Sequence, residues 1–122
     1  MINEKKLEKL MLELGHAENI LGTGYLRQAV HYWDEGFRKM TTQIYPGIAK
    51  AANTTPARVE RAMRHSIGSA WNRGSTDAQL EYFGFTVHPD KGAPTVGEYV
   101  ARMARLCHEE PEERAARFAL EN

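Results

Sequence analysis

The chain has 122 residues, and sixteen Lys and Arg residues balance sixteen Asp and Glu residues, so the formal net charge is zero. With 42% hydrophobic and 26% charged residues, the composition is that of a globular domain and excludes a disordered or fibrous chain. The sequence has no apolar run long enough for a membrane helix, no signal-peptide pattern, and only one cysteine, which excludes an internal disulfide. We therefore expect one cytoplasmic domain over residues 1–122 with no membrane association.

The neutral total conceals an uneven distribution of charge. Residues 24–74 carry an excess of five positive charges, whereas residues 75–122 carry an excess of four negative charges. Phosphate binding depends on the local number of cations rather than on the charge of the whole chain. The middle of the chain is therefore the part to examine for nucleic-acid binding.

Apolar residues recur at spacings of three and four along the chain and predict an all-α fold, a compact bundle of about six helices. The spacing predicts helices over 7–14, 25–38, 44–52, 55–74, 77–83 and 95–107, followed by an amphipathic segment at 112–120. Residues 22–24 (GTG) are interpreted as a turn, and 88–94 as a loop rich in turn-forming residues. The short stretch 82–87 is the one place where a strand pattern competes.

Capping residues fix several of these boundaries. Gly15 and Gly74 are typical of helix C-termini. Thr55 followed by Pro56 predicts an N-cap and a first helical residue. Thr95 and Glu98 have the spacing of a capping box.

The helices at 44–52 and 55–74 have the layout of a helix-turn-helix. In the second of them, one apolar stripe is expected to be buried, namely Val59, Ala62, Met63, Ser66, Ile67, Ala70 and Trp71. The remaining face presents Arg58, Glu60, Arg61, Arg64 and His65 near the N-terminal end, which is where a recognition helix reads bases. Arginine binds guanine and glutamate accepts from cytosine, so this face suits a site that contains G and C.

An ordinary surface helix gives the same charge pattern. Charged residues cover the outer face of many helices, and short helical pairs occur in many all-α proteins. Glu60 and Arg64 also have the i,i+4 spacing of a pair that simply supports a helix. The pattern alone leaves both interpretations open.

Three runs of sequence resemble a known family. Residues 45–50 (YPGIAK), 53–65 (NTTPARVERAMRH) and 70–74 (AWNRG) closely resemble the C-terminal effector domain of stage-zero sporulation protein A, a response regulator of endospore-forming bacteria. Residues 24–29 (GYLRQA) and 83–87 (FGFTV), with Lys91 and Pro94, are similar to it as well. The resemblance covers about residues 7–108 in the same order, and leaves an acidic C-terminal extension at 109–122.

The resemblance implies a six-helix fold that binds a TGTCGAA-like promoter element through its fourth helix. It places Arg58, Glu60 and Arg61 at base-contacting positions, with Arg64 and His65 at phosphate or secondary contacts. It also implies that the segment 74–87 touches RNA polymerase sigma factor, where Asp77, Gln79 and Glu81 are the candidate contacts. Self-association on tandem sites would use the helix near 95–107.

Some features depart from the family pattern. The 122 residues contain no receiver domain, which fits either a stand-alone effector or a piece of a longer protein. Gly68 lies inside the recognition helix, where glycine costs roughly 1 kcal/mol relative to alanine. Asp77, Gln79 and Glu81 differ in detail from the family, so activation of transcription is a weaker expectation than DNA binding.

The sequence gives little support for a metal site or for a reactive cysteine. The five histidines, His16, His31, His65, His88 and His108, lie at least fifteen residues apart and lack the close pair of a zinc site. Cys107 is interpreted as a core residue. The aromatic residues on apolar stripes are also expected in the core, namely Tyr25, Trp33, Phe37 and Trp71. The last segment is either a partner-binding helix or one that folds back on the domain or frays at the terminus.

These observations predict a nucleoid-associated, sequence-specific regulator of transcription that binds double-stranded DNA, has no enzymatic activity, and needs no cofactor or metal. Thr55, Lys50, Arg27 and Arg73 are further candidates for contacts with the DNA backbone. The alternative is a non-enzymatic interaction module that keeps the fold but binds sigma factor or another regulator. The two differ in salt dependence, because DNA binding weakens steeply with salt whereas a protein contact need not.

Overall fold

The structure, a computed structural model, describes residues 2–84 and 92–121. Across those residues there are seven α-helices and no strand: α1 (Glu4–Leu14), α2 (Leu21–Asp34), α3 (Tyr45–Ala52), α4 (Pro56–Arg73), α5 (Thr76–Phe83), α6 (Val96–His108) and α7 (Pro111–Glu121). A π-helical turn, Met40–Ile44, leads into α3. None of these helices is long and apolar enough to span a membrane. The predicted all-α fold is therefore confirmed.

The core lies where α2, α4 and α6 pack together, with α1, α3 and α5 closing its sides. On α4 the predicted stripe is buried at Val59, Met63, Ser66, Ile67 and Ala70, while Ala62 and Trp71 are half-buried. On α6 all five predicted inward residues are buried: Tyr99, Val100, Met103, Leu106 and Cys107. Helical periodicity therefore identified the faces of both helices correctly.

The predicted capping residues occupy their expected positions. Gly15 follows α1 in the left-handed conformation with φ 106°. Thr55 caps α4 and Gly74 ends it. Thr95 and Glu98 form the capping box of α6. The loop at 88–91 and the competing stretch at 85–87 lie outside the described residues.

The predicted bounds of α2 are wrong. We expected a helix over 25–38 after a turn at 22–24, but α2 begins at Leu21 and ends at Asp34. Gly36 then turns the chain with φ 112°, so Phe37 leaves the helical stripe and is 40% exposed. Its ring meets Tyr32 edge-on at 5.7 Å. Tyr25 is buried as expected, and Trp33 is half-buried against the core.

Two glycines allow backbones to touch. A Cβ atom at Gly22 of α2 would lie 1.9 Å from the Ala62 carbonyl oxygen of α4, and one at Gly74 would lie 2.0 Å from the Leu14 carbonyl oxygen. Any side chain at either position would push α4 away from α2 or α1. These contacts place α4 against its supports.

The C-terminal extension folds back on the domain. Arg117 of α7 is buried and binds Glu109 with two hydrogen bonds, from Nε at 3.0 Å and Nη2 at 3.1 Å. Arg114 lies over the Tyr82 ring at 5.3 Å, and Lys6 of α1 donates to the Glu109 carbonyl at 2.6 Å. Charged groups therefore join the C-terminal extension to α1 and α5.

Candidate nucleic-acid interface

A three-residue turn joins α3 to α4. Asn53 adopts the left-handed conformation (φ 55°, ψ 50°), and its N–H donates to the Lys50 carbonyl, so α3 stops abruptly. Thr55 is extended, and its hydroxyl oxygen accepts from the Arg58 N–H at 3.2 Å. The N-terminal end of α4 is thereby fixed directly after α3, with its first turn in solvent.

Three of the predicted residues share the outward stripe of α4. Arg58, Arg61 and His65 are exposed. At about 100° per residue they fall within about 60° of one another. Val59 and Met63 lie on the opposite, fully buried side. The structure thus brings these two arginines and one histidine together in solvent, and we call this set the reading stripe.

Arg64 lies at the edge of the reading stripe, about 60° round the helix from Arg61, and pairs with Glu60, which lies about 100° from Arg61 and nearer the buried side. Arg64 Nη1 is 3.3 Å from Glu60 Oε1, and their side chains are 66% and 32% exposed. Glu60 turns toward α3, where its charge adds to burial in raising the pKa of Tyr45. The i,i+4 pair foreseen as a structural alternative is therefore present.

The first turn of α4 is electrostatically unusual. It contains no acidic residue, although acidic residues stabilise the positive end of a helix dipole. Arg58 is placed there instead, where a cation costs on the order of 0.3–1 kcal/mol. A local cost of this kind is typical of a functional site. An anion bound to the arginines would offset this cost. The helix end adds little donor capacity, because Pro56 has no N–H and the Arg58 and Val59 N–H groups already bond to Thr55.

Two further candidates flank this end of α4. Lys50, in the last turn of α3, is exposed. Thr55 is exposed, and its hydroxyl oxygen serves as an acceptor within the cap, which leaves its O–H group as a donor for a ligand. Both residues lie beside the reading stripe without being part of the core.

Arg27 and Arg73 are placed differently from the other candidates. Arg27 of α2 lies within 4.0 Å of the carboxylates of Glu4, Glu8 and Glu18, so its charge is balanced inside the domain. Arg73 donates from Nε to the Gly15 carbonyl at 3.3 Å. It lies at the far end of α4, about 22 Å along the helix axis from Arg58.

The three residues considered for a sigma-factor contact differ in exposure: one is exposed and two are half-buried. Asp77 is exposed in the first turn of α5. Gln79 is half-buried and donates to the Ala70 carbonyl at 3.3 Å, while the Glu81 carbonyl accepts from Arg117 of α7 at 3.4 Å. Of the three side chains, Asp77 is the most accessible to a partner.

The helix considered for self-association is mostly buried. Eight residues of α6 are buried, and its exposed side consists of Glu98, Arg105 and His108, with Ala101 half-buried between them. His108 pairs with Asp34 of α2, with His108 Nε2 2.6 Å from Asp34 Oδ1. Only this narrow charged strip of α6 is open to a second copy.

His16 and Cys107 are buried in the domain. His16 is 5% exposed and bonds to Ser66 and Tyr99, an interaction that the sequence analysis did not foresee. The polar Ser66 on an apolar stripe was the signal for it, because a buried hydroxyl requires a partner. Burial raises the pKa of the Cys107 thiol to about 11, as befits a core residue.

Among the described residues, no group of three or more His, Cys, Asp or Glu side chains is arranged to hold a metal ion.

The chain matches a known protein family over most of its length. Residues 7–106 match the family described as "Sporulation initiation factor Spo0A C terminal". The chain belongs to this family. The match begins within α1, ends within α6 and leaves α7 outside. The Spo0A C-terminal family consists of DNA-binding effector domains of sporulation response regulators and is not a family of enzymes. The chain is therefore a DNA-binding regulator domain, as the resemblance predicted.

Proposed function

We propose that this domain reads a TGTCGAA-like element in double-stranded DNA by placing α4 in the major groove. The observation that carries the proposal is the reading stripe, which puts Arg58 and Arg61 in solvent at the N-terminal end of α4. A helix about 10–12 Å across fits a groove about 12 Å wide. Arg58 and Arg61 then bind guanines with their forked guanidinium groups. Glu60 lies about 100° round the helix from Arg61 and pairs with Arg64, so it would have to leave that pair to accept from a cytosine.

The neighbouring polar groups would hold the phosphates. Lys50 and the Thr55 hydroxyl flank the helix end, and His65 lies one turn further along α4. Arg64 lies beside His65, but its pair with Glu60 restrains it from a phosphate contact. Such contacts fix the position of a protein on the duplex without reading its sequence. Arg27 is the least suited of the candidates, because three carboxylates already surround it. Arg73 could contact only a phosphate distant from the bases that Arg58 reads.

Fluorescence anisotropy tests this proposal. A labelled duplex that contains TGTCGAA and a scrambled duplex of the same composition are titrated with the protein over a series of salt concentrations. We expect a clear preference for the first duplex and a log–log salt slope of about −0.9 for each neutralised phosphate. A folded protein that binds both duplexes equally would contradict the proposal.

The second proposed function is a contact with RNA polymerase sigma factor through α5. It is favoured by Asp77, which is exposed in the first turn of that helix. An Asp77→Asn variant should keep its affinity for DNA and lose affinity for sigma factor in a pull-down. Binding of sigma factor without any preference for a DNA sequence would favour the interaction-module alternative, and that binding would depend only weakly on salt.

A further inference from the structure

Four polar side chains meet inside the apolar core. Tyr99 of α6, His16 of the α1–α2 loop, Ser66 of α4 and Thr23 of α2 are 0%, 5%, 1% and 2% exposed. The Tyr99 hydroxyl lies 2.7 Å from His16 Nε2, and His16 Nδ1 lies 2.9 Å from Ser66 Oγ. Ser66 Oγ lies 2.9 Å from Thr23 Oγ1, which in turn donates to the Ala17 carbonyl at 2.9 Å. We call these four side chains the buried relay.

The direction of every hydrogen bond in the buried relay follows from counting protons, given a His16 ring that burial keeps neutral near pH 7. The Thr23 hydroxyl has a single proton and gives it to the Ala17 carbonyl, so it must accept from Ser66. Ser66 has then used its own proton and must accept from Nδ1–H of His16. Nε2 of His16 is left without a proton and accepts from the Tyr99 hydroxyl. The single proton of the neutral ring is therefore on Nδ1.

The protonation state is supported by the surroundings of His16. Burial, together with the charge of Arg73, lowers the pKa of His16 to about 4, so the ring is neutral near pH 7. The T-shaped contact between the His16 and Tyr99 rings, with centroids 5.4 Å apart, holds the imidazole in one orientation. Every polar atom of the relay side chains thus has a partner, which is the condition under which a buried network specifies one geometry.

The buried relay constrains α4 in a way that apolar packing does not. Ser66 lies on the buried face of α4, about 8 Å along the axis from Arg61 and about 12 Å from Arg58. Apolar contacts tolerate sliding, but a hydrogen bond weakens outside a narrow range of length and angle. A small shift of α4 along its axis, or a small rotation, would therefore break the bonds of Ser66 to both His16 and Thr23.

We infer that Tyr99, His16, Ser66 and Thr23 are positioning residues that set the register of α4 for base reading. None of them is on the reading stripe, and all act through the placement of Arg58 and Arg61. The inference rests on the proposed function, because register matters only if α4 reads bases. Phosphate contacts tolerate a shifted helix better than bidentate base contacts do, so loss of the relay should reduce the preference for sequence rather than binding in general.

The test compares two variants of adjacent residues on α4. Ser66→Ala removes the centre of the relay, whereas the matched control Ile67→Val removes one buried methyl group from the same helix. Both are expected to lower the melting temperature. Only Ser66→Ala is expected to lower the ratio of affinities for the TGTCGAA and scrambled duplexes, by about five-fold or more, with little change on the scrambled duplex. Tyr99→Phe, which leaves Nε2 of His16 without a donor, should behave like Ser66→Ala if the latter does not fold.

Nitrogen-15 NMR of the His16 ring gives a second readout that does not depend on DNA. We expect Nδ1 to be protonated and Nε2 to be bare, with the Nε2 resonance displaced in Tyr99→Phe. A ring protonated at Nε2, or an unchanged affinity ratio in Ser66→Ala, would overturn the inference alone. A native protein that shows no preference for TGTCGAA overturns the proposed function and with it the role of the relay in reading.

Discussion

Arg64 Nη1 lies 3.3 Å from Glu60 Oε1, and this pair holds the arginine at the edge of the reading stripe. The carboxylate would therefore compete with the phosphates of a bound duplex for Arg64. An exposed pair of this kind contributes little to stability, about 0.3–0.5 kcal/mol. Its larger effect is to restrain a cation that DNA could otherwise use.

Glu60→Gln should separate these two effects. We expect the free energy of unfolding to fall by no more than about 0.5 kcal/mol. Affinity for a scrambled duplex should rise and the salt slope should steepen by about 0.9, since Arg64 becomes free to bind a phosphate. Urea denaturation and anisotropy over a salt series measure both quantities. Glu35→Gln, at an exposed glutamate after α2, removes the same charge as a control, and an equal gain in affinity there would show that only net charge matters.

Arg58 and Lys50 should differ in what they contribute. Arg58→Ala, like Arg61→Ala, should cost about 1–3 kcal/mol of preference at one base pair. Lys50→Ala should weaken binding to all duplexes alike and reduce the salt slope by about 0.9. Anisotropy with single-base variants of the TGTCGAA duplex measures the first effect. Equal losses on cognate and scrambled duplexes for all three variants would contradict this division of roles.

Gly68 and Gly22 should respond in opposite ways to alanine. Nothing lies within 4 Å of a Cβ built at Gly68, so Gly68→Ala should stabilise the domain by about 1 kcal/mol. Gly22→Ala puts a methyl group 1.9 Å from the Ala62 carbonyl oxygen and should destabilise the domain severely. Urea denaturation measures both changes. A destabilised Gly68→Ala variant would mean that the C-terminal half of α4 needs the freedom of glycine.

Protonation of His16 should make the domain sensitive to acid. The pKa of His16 is about 4 in the folded protein and 6.5 in the unfolded chain, so the unfolded chain binds more protons between these values. Stability should therefore rise with pH across this window. The contribution of neutral His16 to the free energy of unfolding should be fully present above pH 6.5. It should be lost as the pH falls toward 4, by on the order of 3 kcal/mol.

Urea denaturation between pH 4 and pH 7 measures this contribution. His16→Asn should remove most of it, whereas His65→Asn, at an exposed histidine, serves as the matched control and should retain it. A native protein whose stability is flat across the window would show that His16 titrates normally in the folded state.

The buried pair of Arg117 and Glu109 should hold α7 on the domain. Two charge-assisted hydrogen bonds of this kind contribute about 1.5–3 kcal/mol each. Arg117→Ala should therefore release α7 and speed proteolytic cleavage within 109–121 by about ten-fold or more. Arg117→Lys keeps the positive charge but loses the planar guanidinium group that makes both hydrogen bonds. Its cleavage rate should lie between those of the native protein and Arg117→Ala. Cleavage at the native rate in Arg117→Ala would show that other contacts hold the helix.

The sequence predicted those features that depend on local chemistry. The caps at Thr55, Thr95 and Gly15 were correct because each is decided by hydrogen bonds within a few residues. The faces of α4 and α6 were correct because helical periodicity exposes the buried side directly. The start of α2 was wrong, because glycines at 22 and 24 indicate a turn locally, whereas Gly22 serves a backbone contact with α4.

The electrostatics of the site could be predicted only in part. The position of Arg58 and Arg61 on one solvent-facing stripe followed from their spacing. The carboxylates around Arg27 come from α1 and the α1–α2 loop, and the bond from Arg73 reaches Gly15. Such contacts between distant segments leave no periodic trace in the sequence. The buried relay could be foreseen only as an unexplained serine on an apolar stripe.

The close backbone contacts at Gly22 and Gly74 also bear on which family members can serve as templates when this chain is docked to DNA. A relative with a larger residue at the position of Gly22 or Gly74 must hold its fourth helix further from the second or the first. Its angle of approach to DNA then cannot be transferred here, even where the arginines of the reading stripe match. Glycine at both positions is thus a requirement to check, besides overall similarity, when a docking template is selected.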